Sequence, residues 1–538
     1  LYRCFMAQAW GHSSGRGIVT LVHPESHFTD EKAGLLRAET YARLRRHWQF
    51  LNELKLYEID NHVTYGIHVY GPPRPAVRFA MAASLYHPDT VERSLRHDGT
   101  GPEPGFKDPS GNWDQRPHKS RILTVTDDTL GIWHELLEDD SVPLRQARMV
   151  YTVNRAVAEV LASLARRDRI GALGLQFSAG WNEKTDRETG HFESRWGATH
   201  EWDDVILQGP HLHVATPFYK SPNASLKSNK DWTVTDFEEL APNAIPVTAY
   251  KPAGDRGRYD ASYTHWGDAG PARDHYRVAW RRMAANTGER TLIPALIPPG
   301  AAHVHPVYSA GAGRCGTTAL VLAAGTLSSL LSDFAIRAAP KSDIHMSTIN
   351  RLPIVLDHPL QPELVLRTLR LNCLTDAYAD LWREVYDPAF ASDAWAGGYK
   401  RDNRRPLGEV GPEWSASTPL RIAEDRRQAL VEIDALVALM LGVSAEQLCT
   451  VYRTQFAVLY GYDHNTYLYD SNGRLVPNPI QVLYRKKGED LTEEELTATN
   501  QAGVTYTYEL PFDVLDREAD MRTAYAEFER RQAARTSC

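Results

Sequence analysis

The order of the elements predicted for the first 75 residues constrains the fold more than any other feature of this sequence. Residues 1–10 have the pattern of an amphipathic helix, and Ile18–Val22 is a continuous apolar run, which is typical of a buried parallel strand. Residues 31–48 carry apolar side chains at helical spacing, and β-like runs follow at 50–59 and 63–70. Helix, strand, helix, strand, strand is the order found in an α/β sheet domain, so we predict an α/β fold.

The rest of the sequence divides into two regions of different character. Residues 76–355 combine short β-like runs with many Gly, Pro, Trp and His residues, which predicts an α+β region with long loops. Residues 356–538 contain three segments with helical periodicity, at 362–386, 421–441 and 516–531, which predict a mainly helical region. A chain of 538 residues is long enough for several domains. We therefore place domain boundaries after residues 75 and 355.

The charge balance limits the kinds of partner that this chain can have. A formal net charge of −8 excludes a protein that coats nucleic acid or membranes through overall positive charge. The charge is uneven, however, because residues 276–355 carry eight basic and three acidic side chains. Such a segment is either a solvated face or a local site for phosphate groups.

The cysteines and histidines give no strong metal or disulfide pattern. The five cysteines are scattered and form no CxxC pair, which excludes a disulfide framework. The pairs His211/His213 and His303/His305 each place two imidazoles on one face of a strand, but no third ligand is fixed beside either pair. We therefore predict no metal site.

The hydropathy pattern predicts no membrane partner. The longest apolar stretch, residues 319–331, is shorter than the ~18 residues that a membrane span needs. No signal peptide is recognised, and together with the cysteine usage this favours a protein of the cytoplasm.

Two short motifs have both a functional and a structural interpretation. Gly311–Gly316 reads GxGxxG, which fits either a dinucleotide- or adenosyl-binding loop or the tip of a hairpin. Pro306 interrupts the preceding apolar run and favours the hairpin. Asp387–Phe390 is similar to the Asn-Pro-Pro-aromatic loop with which amino-methyltransferases hold an extruded base, but it lacks the second proline and follows a helix. This favours a helix end, so we assign no catalytic residue in this chain.

Several segments, taken together, resemble the C-terminal part of the adenine-specific DNA methyltransferases of type IIG restriction-modification enzymes and of phage-defence systems such as BREX and DISARM. The segments span most of the chain and are residues 1–6, 17–28, 51–57, 63–71, 276–283, 289–298, 330–334 and 349–354. The first four are similar to the end of the catalytic domain, and the last four to the target-recognition domain. The resemblance implies that residues 1–75 are the C-terminal remnant of a class I methyltransferase sheet.

The resemblance also implies an activity and a set of site residues. In this family, the exocyclic amine of an adenine swung out of double-stranded DNA attacks the methyl group of S-adenosylmethionine directly. Tyr2 and Phe5 are then expected on the cofactor side, and His23, Pro24 and Tyr65 near the base pocket. Six basic residues are expected to contact DNA: Arg281, Arg282, Arg290, Arg337, Lys341 and Arg351. Other restriction or phage-defence subunits are further expected partners.

The sequence also departs from this family. The glycine-rich cofactor loop and the Asn-Pro-Pro-Tyr loop are absent, so we expect no methyl transfer by this chain alone and most cofactor contacts upstream of it. We also expect an incomplete sheet with an exposed apolar edge around Ile18–Val22. Two alternatives stay open: a non-catalytic DNA-recognition subunit with a self-sufficient fold, and an unrelated nucleotide-binding enzyme that uses Gly311–Gly316.

Overall fold

The secondary structure mixes helices with several small sheets, in a computed structural model that describes residues 1–226, 231–285, 288–339, 342–397, 401 and 404–536. The α-helices are α1 (Tyr2–His12), α2 (Ser26–Thr29), α3 (Gly34–Arg43), α4 (Pro88–Leu95), α5 (Asp127–Leu137), α6 (Arg155–Ala165), α7 (Thr185–Glu188), α8 (Arg256–Ser262), α9 (Thr317–Leu327), α10 (Leu330–Arg337), α11 (Met346–Asn350), α12 (Gln361–Asn372), α13 (Ala379–Val385), α14 (Ala423–Leu441), α15 (Ala445–Gln455), α16 (Ala457–Asn465), α17 (Asn478–Lys487) and α18 (Arg517–Thr536). The strands are β1 (Val19–His23), β2 (Leu44–Leu51), β3 (Thr64–Tyr70), β4 (Arg78–Leu85), β5 (Leu123–Thr126), β6 (Gln176–Ser178), β7 (Phe192–Gly197), β8 (Ile206–Leu207), β9 (Lys220–Pro222), β10 (Trp232–Val234), β11 (Thr248–Pro252), β12 (Arg277–Arg281), β13 (Pro294–Ile297), β14 (Ala302–His303), β15 (Val307–Gly311), β16 (Thr497–Thr499) and β17 (Thr505–Thr507). The predicted α/β fold with a mainly helical C-terminal region is confirmed.

The chain forms two compact units. The first contains Leu1–Arg167, a short segment that begins at Arg337, and Glu446–Tyr460. The second contains Asp168–Ile336, most of the chain between 342 and 445, and the chain from Gly461 onward. This division rests on which parts of the chain pack together. The boundaries after residues 75 and 355 separate regions by their expected function, and they stay a prediction.

A five-stranded sheet organises the first unit, in the order β1-β3-β2-β4-β5. Strand β3 runs antiparallel to both β1 and β2, whereas β4 is parallel to β2 and antiparallel to β5. In the described part of the chain, β1 pairs with β3 alone and is an edge strand. Ile18 and Val22 are 61% and 51% exposed. The expected exposed apolar edge is present, but the prediction of a buried parallel strand is wrong because β1 is antiparallel to its neighbour and open on one side.

The boundary between the second predicted helix and the strand after it differs from the prediction. Helix α3 ends at Arg43, and the residues predicted as its last turn belong to β2. Trp48 and Phe50 on β2 pack with Tyr65 in an apolar cluster, so strand pairing and burial override the helical periodicity. Residues 52–63, predicted in part as strand, form a turn and loop. Strand β3 lies where the sequence predicts it.

A four-stranded antiparallel sheet, ordered β13-β12-β15-β6, and the helices α9, α12 and α14 form the core of the second unit. Gly311–Gly316 connects β15 to α9, so the hairpin interpretation is wrong. The connection starts from an antiparallel sheet, unlike the parallel βαβ unit that holds dinucleotides. Gly313 has φ +56°, and a Cβ there would lie 2.9 Å from the carbonyl oxygen of Gly174. Close backbone packing therefore accounts for this glycine.

The predicted helices of the C-terminal region lie close to their observed positions. Helix α14 ends as predicted, with Gly442 in the left-handed conformation, and α15 follows it. The segment predicted as one helix at 362–386 is divided into α12 and α13. Within the described ranges, no single helix reaches the length and apolarity of a membrane span. Helix α9 and the helix after it meet at 65° and reach those values only when taken together.

Candidate functional site

Four histidines and one glutamate form a buried cluster on one face of the first unit's sheet. His23 ends β1, Glu25 is the residue before α2, and His27 lies within α2. His47 on β2 and His68 on β3 are register partners. All five side chains are buried. We call these five residues the histidine cluster.

Three members of the histidine cluster place potential metal ligands close together. Glu25, His47 and His68 each offer one donor atom, and these atoms all lie within 4.8 Å of one another. His47 Nε2 is 3.0 Å from Glu25 Oε1, and the Nδ1 atoms of His47 and His68 are 3.0 Å apart. A carboxylate and two imidazoles form a donor set that transition-metal ions bind.

Aromatic side chains surround these three residues. The His23 ring stacks on His68 with centroids 3.8 Å apart, and His23 Nε2 is hydrogen-bonded to the Tyr70 hydroxyl at 2.9 Å. On the other side, the Tyr2 ring stacks on His23 at 5.2 Å. The rings therefore hold the imidazoles in fixed orientations and keep water out.

Burial determines the protonation of this cluster. Desolvation lowers the pKa of His27 to about 2 and lowers the pKa of His68 well below its ordinary value. Neighbouring imidazoles add to the shift for both residues, because each disfavours a second positive charge nearby. Burial, and then the nearby Glu25 carboxylate, also raises the pKa of Tyr151 well above its ordinary value. His27 and His68 are therefore neutral near pH 7 and present lone pairs.

A glycine leaves space beside the cluster. Gly66 lies on β3 opposite His23. A Cβ at Gly66 would lie 2.4 Å from Nε2 of His68 and 3.0 Å from Oε1 of Glu25. Any larger residue would therefore enter the space between the imidazole and the carboxylate.

The structure brings together only some of the residues expected around the cofactor and the base. Tyr2 and His23 are in contact, and the Tyr2 hydroxyl is hydrogen-bonded to Ser26 Oγ at 2.8 Å. Pro24 is exposed, and Phe5 is 64% exposed. Tyr65 is not near His23. It lies on the opposite face of β3, stacked against Phe50 at 5.5 Å, because alternate residues of a strand face opposite sides of a sheet.

Glu25, His47 and His68 were not predicted as site residues from the sequence. A signal was present, since His23, Glu25 and His27 alternate along the chain after a strand, and single histidines lie in two later β-like runs. Those histidines are far apart in the sequence, so only the pairing of β1, β2 and β3 brings them together. One histidine of each pair that was considered has a structural role. His211 hydrogen-bonds the carbonyl of Val247, and His303 hydrogen-bonds the Ser309 hydroxyl.

Two of the six expected DNA contacts are used inside the protein. Arg290 is buried, and its guanidinium donates to Asp333 Oδ2 at 2.9 Å and to the carbonyl of Ser328 at 2.7 Å. The half-buried Arg281 donates to the carbonyls of Gly209 and Leu212. Each guanidinium already holds backbone or carboxylate oxygens of the second unit, and a DNA-contact role for these two residues stays a prediction.

The other expected contacts remain compatible with a surface role. Arg282, Arg337 and Arg351 are partly exposed, and Lys341 lies outside the described residues. Arg282 donates to Asp343 at 3.1 Å, and Nη1 lies 2.7 Å from His305 Nδ1. Arg337 lies over the Phe456 ring at 4.4 Å.

Comparisons with known proteins find similarity among solved structures alone, and it is distant. No protein-family model matches the sequence, and no curated protein matches it. Among solved structures, one matching chain comes from work described as the characterization and crystal structure of the type IIG restriction endonuclease BpuSI. The match covers 81% of this chain and 47% of that chain, at 11% sequence identity and a TM-score of 0.25. This chain thus spans about half the length of that one, and a similarity this low carries no argument about function.

Proposed function

We propose that this chain forms the C-terminal part of an S-adenosylmethionine-dependent DNA methyltransferase that modifies adenine. The observation that carries the proposal is the open edge at β1. An edge strand with half-exposed apolar side chains is unusual in a finished sheet, because it offers unpaired backbone groups and apolar surface to any other strand. We infer that a further strand of the catalytic domain pairs with β1.

The arrangement of the neighbouring strands supports the same inference. Strand β3, the third in the chain, is inserted antiparallel between β1 and β2. Strands β1 and β2 therefore run in the same direction, as strands of one α/β sheet do. Fold similarity alone does not identify a reaction, so the proposal depends on a direct test for methyl transfer.

The described residues do not form a complete cofactor site. The Tyr2 ring is already stacked on His23, and Phe5 offers an exposed ring without an enclosing wall among the residues that the structure describes. When bound, S-adenosylmethionine supplies an electrophilic methyl group. Tyr2 and Phe5 alone cannot hold it, so we derive no transfer step from them.

A basic and aromatic cluster on the second unit is the candidate DNA contact. Arg282 lies over the Tyr308 ring at 5.6 Å, and His305 and His345 lie against the same ring at 5.3 and 5.7 Å. His345 is exposed, and the Arg282 side chain is 27% exposed. Guanidinium and imidazole groups held on an aromatic platform suit phosphate and base contacts.

We expect Arg282→Ala to weaken binding to duplex DNA about tenfold at low salt and to reduce the slope of log Kd against log salt concentration by about 1, because one phosphate contact is lost. Fluorescence anisotropy over a salt series measures both quantities. Arg383→Ala is the matched control, since Arg383 is an exposed arginine of the same unit that pairs with Asp380 and Glu413. Equal affinities for Arg282→Ala and the unaltered chain would remove Arg282 from the proposed contact.

The methyltransferase proposal is tested with the complete open reading frame that contains this chain. Expressed in a methylation-deficient bacterial host, it is expected to introduce N6-methyladenine at one sequence motif, which single-molecule sequencing detects. The chain alone is expected to bind DNA without transferring labelled methyl groups. DNA binding by the complete protein with no methylation would overturn the proposal and favour the non-catalytic DNA-recognition subunit.

The open edge makes a separate prediction about the isolated chain. We expect it to self-associate through β1, and we expect Val22→Lys to suppress that association because a charged side chain disfavours pairing at a sheet edge. Sedimentation velocity over a concentration series measures the effect. Leu95→Lys is the matched control, because Leu95 on helix α4 is also 51% exposed. An equal effect of both substitutions would show that general surface apolarity, and not the strand edge, causes the association.

A further inference from the structure

We propose that Glu25, His47 and His68 bind one divalent transition-metal ion, for which zinc is the natural probe. The inference does not depend on the proposed methyltransferase function. Zinc binds imidazole nitrogens and carboxylate oxygens at about 2.0–2.2 Å, so two ligand atoms on one tetrahedral ion are on the order of 3.4 Å apart. The three donor atoms lie within 4.8 Å of one another, with one pair already at 3.0 Å. Small side-chain rotations therefore suffice to place all three on one ion.

Unsatisfied polar atoms point to a ligand at this position. Nε2 of His68 is buried without a hydrogen bond to any described residue. The buried Glu25 carboxylate lies 3.0 Å from Nε2 of His47 and close to the Tyr151 hydroxyl. Buried polar atoms nearly always have partners. A cation at this point would satisfy the carboxylate and the imidazole lone pairs together.

The neighbouring residues are consistent with a site that is kept open. Gly66 has no side chain to fill the space between His68 and Glu25. His23 stacks on His68, and His27 Nε2 is also buried without a hydrogen bond.

The position of the three ligands predicts a structural role for the ion. Glu25 belongs to the turn after β1, His47 to β2 and His68 to β3, so one ion would join three segments of the sheet. All three residues are buried, which leaves no path for a substrate through the described residues. A closed site that links separate segments adds its binding free energy to folding.

The experiment begins with protein freed of metal by a chelator and then dialysed. Zinc is added in competition with a chromophoric chelator, and bound metal is counted by inductively coupled plasma mass spectrometry. We expect about one zinc per chain. Glu25→Gln, His47→Gln and His68→Gln are each expected to weaken zinc binding at least ~100-fold, since even supporting residues around a metal change affinity by about 10–100-fold. His303→Gln is the matched control, a buried histidine of the second unit that is expected to leave zinc binding unchanged.

A measurement on the unaltered chain decides the question if the variants fail to fold. Cobalt(II) in a four-coordinate nitrogen and oxygen site gives intense visible absorption, which zinc should then displace. Gly66→Ala, which fills the space beside His68, should abolish this absorption. An unaltered chain that binds less than about a tenth of an equivalent of zinc and gives no cobalt band would overturn the proposal. Zinc binding that survives Glu25→Gln at full affinity would overturn it as well.

Discussion

We expect Arg290→Ala to lower the free energy of unfolding of the second unit by about 3–5 kcal/mol, because the substitution removes the guanidinium that pairs with a buried carboxylate. Asp333 is completely buried, and Arg290 Nε donates to its Oδ2. The backbone amide of Thr291 donates to the same oxygen at 2.8 Å, so one arginine holds a carboxylate that also anchors the chain leading into β13. Loss of the guanidinium additionally leaves the carbonyls of Ser328 and Ser329 without this donor.

The midpoint of urea unfolding, followed by circular dichroism, measures this loss. Arg383→Ala again provides the control: its ion pairs are exposed, and such pairs contribute about 0–1 kcal/mol. A DNA-binding assay on the folded fraction separates the two roles considered for Arg290. Unchanged stability together with weakened DNA binding would support Arg290 as a contact residue.

We expect the second unit to lose about 2 kcal/mol of stability through Asp434 as the pH rises from about 4 to 7. Burial raises the pKa of Asp434 from 3.8 to about 6, while Arg290, Arg517 and the backbone amide of Leu330 act in the opposite direction and Asp333 adds to the increase. The folded state therefore holds a proton that the unfolded state has already released in this range. Stability from this group is complete below the unfolded pKa and is lost as the pH rises through 6.

Asp434→Asn isolates this contribution, because an amide can still accept the 2.7 Å hydrogen bond from the backbone amide of Leu330 but does not titrate. The difference in unfolding free energy between the unaltered chain and the variant should change by about 2 kcal/mol between pH 4 and pH 7, in favour of the variant at high pH. Urea titrations at half-unit pH intervals supply the difference. Parallel pH profiles would show that Asp434 does not titrate in this range.

Local patterns predicted the elements that local interactions determine. The periodicity of α14, the glycine after it and the alternating residues of β3 are all signals within one element, and they locate those elements closely. The first part of strand β2 was misassigned because Leu44 and Trp48, four residues apart, fit a helical period as well as a strand. The packing of Trp48 against Tyr65, which lies in another strand, decides between the two.

Local sequence patterns predicted less of the candidate site than of the secondary structure. A count of charges identified residues 276–355 as basic, but it could not distinguish Arg290, buried against Asp333, from Arg282 at the surface. His47 and His68 were missed because nothing within either strand relates them, whereas sheet pairing makes them register partners. Tyr65 was misplaced because the sequence analysis did not consider which face of β3 each residue occupies.

The alternation of side chains along β3 makes its register specific. His68 and Tyr70 face the histidine cluster, whereas Tyr65 faces the apolar cluster around Phe50. A shift of β3 by one residue would exchange the two faces, bury imidazoles among hydrocarbons and place the Tyr65 ring against Glu25. The loop before β3 opposes such a shift. The buried Asn52 donates to the carbonyls of Tyr57 and Ile59 and so holds the loop between β2 and β3 in one conformation. Asn52 therefore helps to fix the register that places His68 opposite His47.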